Sequence, residues 1–171
     1  MSRCTACELL RERFPEAVLA VSEFRGDTAV VVEKDRLRDV MTFLRDCEQT
    51  RYDLLVDMAG VDALSESPRF WVAYILHSIT HNRRLRIKVP VAEGATVDTV
   101  SDIWRAADWM EREVFDLFGI PFAGHPELRR ILLPDDFVGH PLRKEFPLKG
   151  EDFDRPFPVC LEEEQGTQTD A

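Results

Sequence analysis

The chain has 171 residues, a formal net charge of −10 and 44% hydrophobic residues. That length suits one compact domain with an appendage. The acidic balance argues against a nucleic-acid or anionic-membrane binder, and no apolar run approaches the roughly 18 residues of a membrane span.

The opening "MSRCTACELLRERF" mixes both charge signs and lacks the apolar core of a signal peptide. A cytoplasmic protein with reduced cysteines is expected. Thr5 and Glu8 have capping-box spacing, which predicts a helix from Thr5 to Phe14. "TAVVVE" (28–33) is β-branched and reads as a strand. "DRLRDVMTFLRDCEQ" puts Leu37, Val40, Met41, Leu44 and Cys47 on one helical face. "YDLLVDMAGVDAL" begins as an apolar strand. "RFWVAYILHSI" (69–79) and "LRIKVPV" (85–91) read as a hairpin joined through "HNRR". In the latter, Leu85, Ile87, Val89 and Val91 point one way and Arg86 and Lys88 the other. Residues 96–119 read as two helices, 97–105 and 109–118, because Asp108 and Glu111 repeat the capping-box spacing; Gly119 ends the second. The expected fold is α+β: a mainly antiparallel four-stranded sheet with helices on one face, followed by a long irregular C-terminal tail.

A boundary is expected near Gly119, giving an α+β body (1–119) and a docking tail (120–171). Seven of the ten prolines lie after residue 120. The tail carries Ile120, Phe122, Leu128, Ile131 to Leu133, Phe137, Leu142, Phe146 and Leu148, which a solvated linker would lack. The final stretch, "EEEQGTQTDA", has no apolar anchor and reads as frayed. Two echoes stand out, "GHPELRR" (124–130) and "GHPLRKEFP" (139–147). Proline fixes extended geometry at His125 and His140, so neither echo sits inside a helix or a central strand.

Candidate chemistry is sparse. Cys4 and Cys7 form C-x-x-C, but a thioredoxin-type pair needs a preceding strand and a zinc site needs two more ligands; Cys47 and Cys160 stand singly. Glu111 and Glu113 are two apart and face different sides of a helix. Arg112 and Asp116 have i, i+4 spacing, and Glu113 and Asp116 have i, i+3. This segment reads either as a charged helix face or as a face meeting another protein. His125 and His140 lack a nearby nucleophile or third ligand. Arg129, Arg130, Arg143 and Lys144 could bind phosphate, but no glycine-rich phosphate loop is present. The residues by themselves indicate no active site.

The segment "DWMEREVFDLFGIPFAGHPELRRILLPDDFVGHPLRKEFP" (108–147) resembles the C-type subunit of respiratory complex I, the 30-kilodalton-type peripheral-arm component of NADH:quinone oxidoreductase. The matching residues are Glu111-Arg112-Glu113, Asp116, Gly119, His125-Pro126, Arg129 to Leu132, and Gly139 to Lys144. The resemblance implies a structural component without flavin, iron–sulfur cluster or metal; flavin and clusters belong to partner subunits. It implies packing on the D-type subunit of complex I, with the B-type and I-type subunits nearby, at the cytoplasmic face of the bacterial inner membrane. The alternatives are the equivalent component of a membrane-bound hydrogenase or of a dehydrogenase with another donor, and a standalone thiol or zinc protein using Cys4 and Cys7. The tail is expected to clamp a partner. The expected interface comprises Glu111, Arg112, Glu113, Asp116, His125, Arg129, Arg130, His140, Leu142, Arg143, Lys144 and Phe146.

Overall fold

The structure, a computed structural model, describes residues 5–147. Cys4, Cys160, Leu148 and the acidic C-terminal stretch lie outside the described residues. Helix α1 (Thr5–Arg13) leads into strands β1 (Val18–Phe24) and β2 (Asp27–Val32). A short 3-10 turn and helix α2 (Leu37–Asp46) follow, then β3 (Leu54–Asp62), β4 (Phe70–Ser78) and β5 (Arg83–Val91). The two-residue strand β6 (Val97–Asp98), helix α3 (Ala106–Phe118) and strand β7 (Phe122–Ala123) complete the fold.

The main sheet has five strands in the order β1-β2-β5-β4-β3. Three of the four pairings are antiparallel and β2–β5 is parallel, so the α+β expectation holds with one more strand than expected. The extra strand is β1. It forms a hairpin with β2 through Arg25 and Gly26, both at positive φ (50° and 91°), the backbone that a tight two-residue hairpin requires.

β4 alternates buried and half-buried residues along its whole length. Phe70, Val72, Tyr74 and Leu76 face inward, beside Leu85, Ile87, Val89 and Val91 of β5. Leu10 of α1, the α2 stripe Leu37, Val40, Met41 and Leu44, and Ala107, Val114 and Phe118 of α3 join them in one core. Cys7 is buried in that core and Cys47 is only half-buried. The helices lie on one sheet face, as expected.

Two expectations fail. Residues 97–105 are not a helix: Val97 and Asp98 form β6 and the chain then turns. Glu111 is the cause. It does not turn back to cap Asp108; it accepts the Thr99 hydroxyl and the Val100 N–H, which holds this segment in a turn. α3 therefore starts at Ala106, with Asp108 in its first turn. The boundary at Gly119 also fails. Ile120 and Phe122 are core residues, and β7 pairs with β6 in parallel.

α3 crosses β3 where the sheet presents Gly60. A Cβ there would lie 2.6 Å from the Phe118 ring. Gly60→Ala should lower stability by about 1–3 kcal/mol, the usual range for overpacking. A urea titration with a lower midpoint and an unchanged slope is the expected result.

Candidate functional site

α3 gathers the charged motif residues, and nearly all of them bind the chain that follows. Asp116 is fully buried, a costly place for a charge unless it is fully paired. Its Oδ2 accepts three successive backbone N–H groups, from Ile131 (3.1 Å), Leu132 (2.9 Å) and Leu133 (2.9 Å). Its Oδ1 accepts the Arg130 guanidinium at 2.7 Å. Consecutive N–H groups curled around one oxygen make an anion nest. Burial alone would raise the carboxyl's pKa, but these donors outweigh it and hold it below the ordinary 3.8.

One turn earlier on the same face is Arg112, itself buried. It donates Nε–H to the Arg129 carbonyl and an Nη–H to the Arg130 carbonyl, both at 3.2 Å, while its guanidinium lies 5.1 Å over the Trp109 ring. The expected Arg112–Asp116 pair does not form, because each side chain is taken by the segment 129–133.

The two His-Pro histidines serve the same helix with opposite ring nitrogens. His125 is enclosed. Its Nδ1 accepts the Glu127 N–H, which leaves the proton on Nε2, and Nε2 donates to the Asp108 carbonyl at 3.1 Å. His140 donates Nδ1–H to the Asp116 carbonyl at 2.8 Å. Neither ring is placed as a metal ligand. Among the described residues no group of three or more His, Cys, Asp or Glu is placed to hold a metal ion.

The "GHPLRK" stretch caps the end of α3. A helix leaves its last four carbonyls without intrahelical donors. Here Phe115 receives the Gly119 N–H (2.9 Å), Asp116 the His140 ring, Leu117 the Leu142 N–H (3.1 Å) and Phe118 the Arg143 Nε–H (2.6 Å). Gly119 ends the helix at φ 70°, and a Cβ on it would lie 2.5 Å from His140 Nε2 and 2.8 Å from the Arg143 guanidinium. Within the loop, Arg130 also donates to the Phe137 carbonyl, and the Phe137 and Phe146 rings stack at 5.9 Å.

Residues 124–147 thus form a strap across α3, and its far end is fixed to the sheet. Asp62, at the end of β3, takes a two-pronged bond from Arg69 (2.9 and 2.8 Å) and the Lys144 N–H at 2.8 Å. The guanidinium holds the Asp62 carboxyl below its ordinary range despite burial. Arg69 also pairs with Glu145, and Arg69 and Arg143 both lie over the Phe70 ring. Asp62, Arg69, Thr99 and Phe70 were not among the sequence candidates; each acts across a gap of many residues and carries no local motif.

The expected interface residues thus divide. Glu111, Arg112, Asp116, His125, Arg130, His140 and Arg143 make hydrogen bonds within the chain, and Phe146 stacks on Phe137. Glu113, Arg129, Leu142 and Lys144 stay exposed, with Arg129 beside Glu127. Leu142, half exposed, borders a groove of about 230 Å³ with Met58, Glu113 and Leu117. Leu132 and Val138 stand out on the strap at 62% and 69% exposure.

Three comparisons bear on this arrangement. The family model described as "Respiratory-chain NADH dehydrogenase, 30 Kd subunit" matches residues 30–152. The C-type subunit of NADH-quinone oxidoreductase from Geotalea uraniireducens is 51% identical over 144 residues, covering 84% of this chain and 87% of that one. Its same-named counterpart from Roseiflexus sp. is 46% identical over 153 residues, covering 89% and 88%. A solved trypsin-resistant fragment of Nqo5 superposes with a TM-score of 0.63 at 31% identity, covering 72% of this chain and all of the fragment. A chain of an archaeal membrane-bound sulfane sulfur reductase shares the fold, with a TM-score of 0.70 at 23% identity and 96% of each chain covered.

Asp116→Asn should cost about 2–4 kcal/mol, since an amide cannot replace an anion held by four donors. It should also open Arg129 and Arg130 to trypsin, read as a new early cleavage in limited proteolysis. A carboxyl whose folded pKa is lowered contributes stability above its ordinary value of 3.8 and loses it as pH falls through the folded value. The substitution should therefore flatten the acid limb of the stability curve.

Glu111 has the opposite sign. Burial raises its pKa to about 7 against the bonds from Thr99 and Val100. A raised folded pKa gives a contribution that is full below the ordinary 4.5 and is lost as pH rises through about 7. In Glu111→Gln the fall in melting temperature across that window should shrink, measured by thermal scans from acid to neutral pH.

Proposed function

The chain belongs to the 30-kilodalton-subunit family of respiratory-chain NADH dehydrogenase, and from that premise we propose that it supports the peripheral arm of an NADH-quinone oxidoreductase as its C-type subunit. The enzyme's activity, electron transfer from NADH to quinone coupled to proton translocation, belongs to the assembly. This chain supplies a shaped, rigid surface. What supports that role most directly is the use of the motif side chains: Arg112, Asp116, His125, His140 and Arg143 make side chain–backbone hydrogen bonds, and Arg130 pairs with Asp116, so that together they hold the strap on α3.

On this reading the D-type subunit is the main partner, with the B-type and I-type subunits nearby, at the cytoplasmic face of the inner membrane. Among the described residues no helix is long and apolar enough to cross a membrane. The exposed strap residues Leu132, Val138, Leu142 and Lys144, with the groove between α3 and β3, form the surface we assign to the D-type partner. An apolar anchor filling such a groove is the usual form of an interface hot spot.

An affinity-tagged chain expressed in its native host should bring down NADH-quinone oxidoreductase subunits and NADH-dependent quinone reduction. Recovery of hydrogenase subunits instead would replace this reading with the alternative assembly. Leu142→Asp should reduce recovery of the D-type partner by about tenfold, the effect of losing one buried anchor. The isolated variant should keep its circular dichroism, because Leu142 is already half exposed.

A further inference from the structure

The outer face of the main sheet has a chemistry that the fold itself does not use. The inner face carries the core and all three helices. On the outer face the cross-strand rows read Ala59, Ala73, Lys88 and Val31, then Asp57, Ile75, Arg86 and Ala29, then Leu54, His77 and Arg84. A further pairing adds Val61, Trp71 and Pro90 at one end. Leu54, Val56 and Val61 are 41–47% exposed.

Three cations, Arg84, Arg86 and Lys88, therefore stand on the central strand at alternate positions. Opposite charges on facing strands stabilise a sheet, and like charges in register weaken it. Their paired neighbours are Ala73, Ile75 and His77 on one side and Ala29 and Val31 on the other, and Asp27 at the start of β2 lies near Arg84 and Arg86 without pairing with either. Among the described residues none of the three cations makes an ion pair. Asp57 is the carboxylate in these rows; it lies on the edge strand and accepts the Met58 N–H. Elsewhere the arginines Arg38, Arg69, Arg130 and Arg143 are all paired. In a chain with net charge −10, a row of three cations that makes no ion pair, with only Asp27 and the edge-strand Asp57 near it, is a local exception. The flanking alanines let another backbone approach closely, and Trp71 and Ile75 supply apolar contact.

We propose that this outer sheet face is a second protein-docking surface, whose partner presents an apolar patch flanked by carboxylates. The partner is another component of the same assembly, so the proposal rests on the functional reading above. It is separate from the strap surface assigned to the D-type partner, which lies on α3 and the chain after it. An anionic bilayer fits less well, because the whole chain is strongly acidic and such a surface repels it.

The test is residue-resolved hydroxyl-radical footprinting of Trp71 and Ile75, in the isolated full-length chain and in the affinity-purified complex. The expected result is reactive side chains in the chain alone and about tenfold protection in the complex. The triple variant Arg84→Glu, Arg86→Glu, Lys88→Glu should keep its circular dichroism and lose about tenfold in recovery of one partner protein at physiological salt. If that variant does not fold, Arg86→Gln with Lys88→Gln gives the same comparison with a smaller loss. Equal reactivity in chain and complex overturns the proposal. So does protection already present in the isolated chain: if it persists on dilution, the chain's own C-terminal residues cover the face, and if it vanishes, a second copy does. Binding to vesicles containing phosphatidylglycerol, abolished by the triple variant, would assign the face to lipid and also overturn it. If the wild-type chain recovers no NADH-quinone oxidoreductase subunits, it is the functional reading above that has failed.

Discussion

The buried carboxylate of Asp116 sets the geometry of the C-terminal quarter of the described chain. A charge at a fully enclosed position is tolerated only when every lone pair has a donor. Asp116 obtains its donors from four consecutive residues, Arg130 to Leu133, that have no regular structure of their own. The dependence runs both ways. Without the strap, the carboxylate would be an unpaired buried charge; without the carboxylate, three adjacent N–H groups would lose their acceptor. That reciprocity gives an irregular segment a single conformation, in place of the ladder bonds of a helix or strand.

The remaining contacts extend the same logic along α3. Its last carbonyls are satisfied from a distance, by a histidine ring, a backbone N–H and a guanidinium, each delivered by "GHPLRK". Gly119 and Pro141 suit this arrangement for steric reasons. Gly119 sits at positive φ under His140, where any side chain would collide with the ring. Pro141 holds His140 in the extended geometry that aims its Nδ1 at the helix end. The cationic pair after the proline serves the chain's own fold. Arg143 closes a helix and stacks on Phe70, and the Lys144 backbone ties the strap to β3.

Periodicity makes α2 and β5 legible: Leu37, Val40, Met41 and Leu44 are buried as their spacing requires, and β5 alternates as written, whereas β4 is apolar on both faces near its centre and only its burial alternates. β1 escapes such a reading because its half-exposed, edge-strand sequence lacks a strong apolar alternation. The helix expected at 97–105 does not form because the decisive bond joins Thr99 to Glu111, twelve residues away and invisible to a local rule. The motif residues are legible as a group, but the side of the contact they serve is not. Sequence shows that a charged, proline-bound segment needs something to hold it. It does not show whether the holder is a partner or the chain's own helix, since both offer carboxylates and carbonyls.

That distinction changes the energetics of assembly. A tail that ordered only on a partner would set its backbone entropy, about 1–2 kcal/mol per residue, against the association. Here residues 124–147 are already fixed by bonds to α3 and to Asp62, so the ordering is met within the folding of the chain. The side chains left outward, Leu132, Val138, Leu142 and Lys144, are then presented on a rigid strap, and little is lost in immobilising them. The polar motif and the exposed apolar residues have complementary tasks: the first fixes the backbone, the second provides the contact. A substitution in the polar set should therefore weaken folding and assembly together, whereas one in the exposed set should weaken assembly alone.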